Sequence, residues 1–541
     1  MVLSRWLERV SMHLVLGSVL VACTCSDAAA APQEPAEVAT EAESPLGSTA
    51  TLEEVAPQTS ASTATTEPTR DAALAAEDEQ AKPLVVHPAA EPAMAMRYRM
   101  WPSPDSLKPG RAEVHFFRAL VMTQAIDPAT QAKVTSYLDE ELTPKILNEI
   151  RQFLTQNDQL LAEVRRMALC EEQVLDLRIR DLSGIDAYSL PLSEVQTARG
   201  LARLIQLQLL VKIQDGDFAG AMDAWQMGFR LAALVGNGET LIQHLVGNAI
   251  AAVMLEAVEQ AIVRPDCPNL YWALASLPRP LNDIRKGIAT ESQFATRVLP
   301  SIDEAGKGVL TPEQWRDRLL GDLGRLQQME GGQGAGGDSV FSRSLFLSLL
   351  VHSESEMRQR LLSRGWTEAQ VEKMSVYEKA CVDAVEETQY WRDRLFSPLL
   401  LPDAQAGPIL AERQEEMNRW LQVNRSRSLG AVTVSLLFPS VMAAHTSYLS
   451  VEYRVNRWMT VEALRMQAAQ ADGQLPDNLK SLTKVPALDD PFASQPFEYH
   501  VERSAGKQTV TLSGKAPSNY PEKLRTLQLV LPAPMPKSET K

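Results

Sequence analysis

Asp383, Glu386, Glu387 and Tyr390 fall at spacings that place them along one side of a helix. Paired carboxylates do acid–base work when burial drives their pKa values apart. Lys379, Arg392 and Arg394 stand in the same stretch, and that mixture reads as a solvated helix face. His352 and Glu356 are four apart and share a face, but a metal needs at least a third ligand and no HExxH is present. They read as a surface pair. Asp303–Gln314 (DEAGKGVLTPEQ) imitates a calcium loop with Gly308 at the turn position. Ala305 and Lys307 occupy two ligand positions and Gln314 replaces the bidentate Glu, so a turn between helices is expected. His244 sits in an apolar run and reads as a core histidine. Cys170, Cys267 and Cys381 lie far apart with no CxxC pair and no nucleophile motif. They read as buried thiols, with one disulfide among them left open. No GxSxG elbow occurs, and GGQGAGG at 331–337 lacks the Gly-Lys-Ser/Thr ending of a P-loop. No catalytic, cofactor-binding or metal-ligating residue is assigned.

The elements around these residues are helical. Apolar residues recur at helical spacing from Leu138 through Ile146, Ile150 and Phe153 to Val164, and again over 195–213 and 218–235. The clearest stripe carries Leu241, Leu245, Ala249, Val253, Ala257 and Ala261 on one face. Ile242, Val246, Ile250, Met254, Val258 and Ile262 lie beside them, which marks a helix buried along much of its girth. Further helices are expected at 312–329, 354–363, 368–395, 408–424 and 444–472, with Thr311-Pro312 and Thr367-Glu368 as starts. The uncharged run 429–445 is long enough to raise the question of a membrane span, but Pro439 and its short length favour a buried core helix. After Gly473, Phe497–Val501 and Thr509–Leu512 alternate like two strands.

Of the chain's net charge of −15, residues 23–96 carry −11, and aromatic residues are only 6% of the whole. No basic stripe with interleaved aromatics appears, so nucleic acid is not an expected partner. Arg5 and Arg9 precede a short apolar run, Val10–Ala22, which ends in Leu20-Val21-Ala22-Cys23. This resembles the lipobox of bacterial lipoproteins, which implies acylation of Cys23 and a membrane partner through a lipid anchor. Cleavage near Ala28-Ala29-Ala30 satisfies the small-x-small rule too and would give a secreted protein, and the run left uncleaved would be a membrane anchor. The expected organisation is a signal peptide over 1–22, a disordered acidic linker over 23–96, an α-helical body over 97–472, a small α/β segment over 473–531 and a disordered tail over 532–541.

Asp215-Gly216-Asp217-Phe218, followed by Ala221-Met222, Trp225 and Gly228-Phe229, resembles the second half of a tetratricopeptide repeat. The preceding helix departs from that pattern, with Gln208, Leu209 and Lys212 where Leu, Gly and Tyr are usual. ALRMQAAQADGQLPDNLKSL and DDPFASQPFEYHV near the C-terminus resemble a box found in exported bacterial proteins of unknown activity. LYWALASLPRPLNDIR and VGNGETLIQHLVGNAI resemble the same family, which implies an architecture and a location but no catalytic residues. Pseudopilins carry a similar helix and Asp-Pro stretch, but the N-terminal prepilin helix is absent from this chain.

The expected fold is therefore mainly α, stacked helical hairpins with a small α/β C-terminal piece. The expected function is a non-catalytic envelope scaffold or protein- and peptide-binding module. The alternative is an envelope hydrolase whose acidic residues converge in a helical groove.

Overall fold

Short polar side chains set the helix starts. The computed structural model describes residues 83–532 outside 183–190, 294–300, 330–346, 425–427, 505–506 and a few isolated positions. Its first helices are α1 (Ala112–Gln124), α2 (Pro128–Ser136), α3 (Pro144–Gln156), α4 (Asp158–Leu169), α5 (Pro191–Gln214), α6 (Phe218–Gly236) and α7 (Leu241–Ile262). Asp127 accepts from Thr130 N at 2.8 Å and Asp217 from Gly220 N at 2.9 Å, opening α2 and α6. Thr240 and Gln243 cap α7 reciprocally. Such caps satisfy backbone donors that have no partner inside the helix.

The expected hairpin is present. Gly216 adopts φ +70°, left-handed backbone that glycine enters without strain, and the chain reverses from α5 into α6. Trp225 is fully buried and its Nε1 donates to the carbonyl of Met254 at 3.0 Å, joining α6 to α7. Two Val-Gly-Asn triplets, 235–237 and 246–248, meet at the same place. Gly247 lies backbone to backbone against Gly236. Asn237 Oδ1 accepts from Asp283 N at 2.7 Å, and the amides of Asn248 and Asn282 pair at 2.7 Å. On α7 the row Val246, Ile250, Met254, Val258 and Ile262 is buried, whereas Leu245, Ala249 and Val253 are half-buried and Ile242 is exposed. Among the described residues α7 alone is apolar and long enough to cross a membrane, and 67% of its apolar window is buried inside the protein.

The chain continues through α8 (Tyr271–Ala275), α9 (Ile284–Glu291), α10 (Pro312–Met329), α11 (Glu354–Ser363), α12 (Glu368–Lys373), α13 (Val376–Phe396), α14 (Asp403–Asn424), α15 (Leu429–Leu437) and α16 (Ser440–Gln470). The helix expected over 368–395 is two helices, because Ser375 accepts from Glu378 N and starts α13 afresh. The run 429–445 contributes two helices to a core, as expected of a buried segment: Val434, Phe438, Val441 and Ala444 all enter it.

Those residues reveal two lobes. One core joins α1–α8 to the later part of α16 and the sheet. Separate, smaller cores draw mainly on residues 284–444, and the largest of them also takes in Leu241 at the start of α7. The second lobe is thus inserted between α8 and α16, and α16 belongs to both.

The strands are β1 (Leu84–Val85), β2 (Lys108–Arg111), β3 (Cys170–Glu172), β4 (Asp489–Asp490), β5 (Gln495–Pro496), β6 (Glu498–Ser504), β7 (Lys507–Ser513) and β8 (Thr526–Pro532). The main sheet runs β1-β8-β7-β6, with β6, β7 and β8 antiparallel. Val510, Leu512, Leu527, Leu529 and Leu531 face the core by strand alternation. Two of the three long strands match the expectation, and β8 adds a third. The fourth corrects the domain boundary. Leu84 and Val85 pair parallel with Leu529 and Val530. Arg465 Nε donates to the His87 carbonyl at 2.8 Å, and Ala89 N donates to the Arg465 carbonyl at 3.1 Å. Folded structure therefore begins well before Arg97. Backbone hydrogen bonds recruit a segment too short to show periodicity.

Candidate functional site

A groove of about 520 Å³ opens where the first hairpins stack, lined from α3, α4, α5 and α6. Leu154, Leu161, Ala162, Val211 and Met227 give it an apolar lining, and Arg151, Arg165 and Lys212 stand at its edge. Each of these cations is held by an acid: Arg151 by Asp215 at 2.5 Å, Arg165 by Asp223 at 3.3 Å and Lys212 by Asp217 at 2.7 Å. These are solvent-facing pairs, worth about 0–1 kcal/mol and readily exchanged for a ligand's charges. Gln208 lines the same groove. Its Oε1 is buried with no hydrogen-bond partner among the described residues, so an incoming N–H would satisfy it once the side chain turns outward into the groove. Gln208 and Lys212 are two of the positions at which α5 departs from the repeat pattern. Both face the groove.

A second polar assembly lies where the lobes meet. Tyr448 donates to Asp403 Oδ2 at 3.1 Å, and His445 Nε2 stands 3.9 Å from Asp403 Oδ1. His244 is buried, with Nδ1 against the Gly236 carbonyl at 3.1 Å. A carbonyl only accepts, so Nδ1 carries the proton and Nε2 is left as a bare lone pair. Burial pushes this histidine down to about 4. Asn248 donates to Ser447 at 3.3 Å across the same boundary. Here the carboxylate of Asp403 is the solvent-facing member and His445 is buried, the reverse of the order in which a catalytic imidazole reaches a substrate.

No family model, curated protein or solved structure matches this chain. Its own side chains carry the reading.

The carboxylates on α13 correct the expectation of a solvated helix face. Asp383 and Glu387 are both buried. Arg360 grips Asp383 through two nitrogens at 2.6 to 3.1 Å, and Arg364 adds a contact at 3.2 Å. Glu387 accepts from Ser428, the cap of α15, and lies 3.5 Å from Arg360. Burial and the neighbouring Asp383 raise Glu387 to about 7. Glu386 is turned to Trp366, whose Nε1 donates to it at 3.0 Å. Tyr390 is exposed under the Arg394 guanidinium. These acids anchor α11 and α15 onto α13.

His352 is exposed, and Glu356 lies 3.8 Å from Arg360 rather than in a histidine pair. Among the described residues no three His, Cys, Asp or Glu side chains are placed to hold a metal ion. In the calcium-like stretch, Asp303 and Gly308 fall outside the described residues. Thr311 and Gln314 cap α10 through bonds of 2.8 and 3.3 Å, so Gln314 serves a helix start. Cys170, Cys267 and Cys381 are buried free thiols, the last two pushed up to about 12 by burial. Cys23, the 331–337 glycine run and the expected tail after 532 lie outside the described residues.

Proposed function

We propose that this protein is an envelope-tethered helical module that binds an extended peptide segment of a partner in the groove between α3–α4 and α5–α6. The groove supports this reading because apolar lining, an unsatisfied acceptor at Gln208 and exchangeable edge charges occur together. Backbone N–H groups of a peptide would satisfy Gln208, and apolar side chains would cover Leu154 and Leu161. The tether in this reading is an acylated Cys23, which follows the lipobox-like Leu20-Val21-Ala22.

Two experiments test it. Peptides selected from a random displayed library on the full chain should bind about tenfold more weakly to Gln208→Leu, a loss of roughly 1.4 kcal/mol. Equal binding by the variant, or no selected peptide, would overturn the groove. Cleavage of a selected peptide would support the hydrolase alternative instead. For the tether, a fatty-acid analogue should label the wild-type chain and Cys25→Ser but not Cys23→Ser. Label persisting in Cys23→Ser would sink the lipoprotein reading.

A further inference from the structure

We infer that the outer face of α1 is a contact surface for an anionic lipid bilayer. The inner face of this helix buries Phe116, Ala119 and Leu120 in the main core. Its outer face leaves Val114 at 45%, Phe117 at 38% and Val121 at 68% exposed. These three lie at i, i+3 and i+7, a stripe about 10 Å long on one side of the helix. Arg118 is exposed beside them, and exposed Lys108 and Arg111 directly precede the helix, Arg111 in a pair with Glu113 at 2.5 Å and 4.0 Å from Glu172.

Charge selects the occupant. The chain carries −15 overall, yet residues 94–121 hold Arg97, Arg99, Lys108, Arg111 and Arg118 against Asp105 and Glu113, and the paired strand β3 adds Glu171 and Glu172 beside Arg111. Met94 and Met96, both strongly exposed, lie on the same N-terminal segment. Exposed apolar side chains flanked by cations suit the interface of an anionic bilayer, where each cation near the surface gains about fivefold in partitioning. The described chain starts at Pro83, shortly before this segment. A tether attached ahead of it would hold the stripe at high local concentration near the membrane, so a weak intrinsic affinity suffices. The surface is separate from the groove, and its failure leaves peptide binding untouched.

The test uses the full chain bearing Cys23→Ser, which removes any contribution from acylation. Co-sedimentation at low salt is measured with vesicles of phosphatidylcholine alone and of phosphatidylcholine with phosphatidylglycerol. The expected result is binding to the anionic vesicles only. It should weaken about tenfold or more in Phe117→Ser/Val121→Ser and about fivefold in Arg118→Ala; the melting temperature should be unchanged in Arg118→Ala and lowered modestly in the double variant, because Phe117 also packs edge-on against Phe116. No binding to anionic vesicles, equal binding to both kinds, or binding insensitive to the double variant would overturn the inference. A dimer in sedimentation velocity that the double variant dissolves would overturn it too, assigning the stripe to a second copy of the chain.

Discussion

Gly247 of α7 lies directly on Gly236 of α6, so that a Cβ at 247 would fall 2.6 Å from the Ala232 carbonyl oxygen and collide with the Gly236 backbone. Backbone cannot yield as a flexible side chain does. Gly247→Ala should therefore prise the two helices apart and cost about 1–3 kcal/mol or more, as overpacking does. Thermal unfolding followed by circular dichroism checks this. A melting temperature equal to wild type would mean the helices separate without loss.

The burial of α7 predicts an order of damage along its two apolar rows. Ile250 is 1% exposed in the main core, whereas Leu245 is half-buried at the edge of the second lobe's core. Ile250→Asp would bury an unpaired charge and should abolish stable folding. Leu245→Asp should be tolerated better, because its carboxylate can reach water. Soluble yield and urea midpoints would rank the two, and a reversed ranking would contradict the burial described.

Arg360 is the larger part of the clamp on Asp383, so Arg360→Met should leave a buried carboxylate underpaired. Breaking one partner out of such a pair costs about 3–5 kcal/mol. Arg358, which reaches Glu368 on the surface, offers the control: Arg358→Met should cost less than about 1 kcal/mol. Equal effects of the two substitutions in denaturant titrations would show the Asp383 clamp to be energetically idle.

Two buried groups should tilt the pH dependence of stability in opposite senses. His244 is held down at about 4, below its ordinary 6.5. The unfolded chain takes up that proton first, so its contribution is full above 6.5 and is lost as pH falls towards 4, by about 3 kcal/mol in all. Glu387 is raised to about 7 from 4.5. Its contribution is full below 4.5 and is lost as pH rises through 7. In melts between pH 4.5 and 7.5, His244→Gln should remove the acid-side decline, and Glu387→Gln the decline towards neutrality. Unchanged slopes would argue that neither group titrates differently on folding.

The Asp215–Phe229 hairpin was legible in the sequence because its turn glycine, cap and plug are local. The helices of the second lobe were legible for the same reason, through caps such as Thr311 and Thr367. The Asp383 cluster was misread because its partners, Arg360 and Arg364, come from another helix. Charges interleaved along one segment look alike whether water or a distant arginine receives them. β1 escaped notice because two residues have no period to detect. The groove was half visible: Gln208 and Lys212 broke the repeat pattern, but only the packing of α3 and α4 across from them shows what those departures face.

Leu84–Val85, His87 and Ala89 also decide how the fold would carry mechanical load. Tension arriving along the chain ahead of Pro83 meets the β1–β8 ladder first, and then the exchanged hydrogen bonds between this segment and Arg465. While those bonds hold, the pull passes sideways into α16 and the C-terminal sheet instead of onward to α1. Under a tether ahead of Pro83, the longest helix in the described chain would thus act as a strain relief, and the hairpins that line the groove would stay off the line of force.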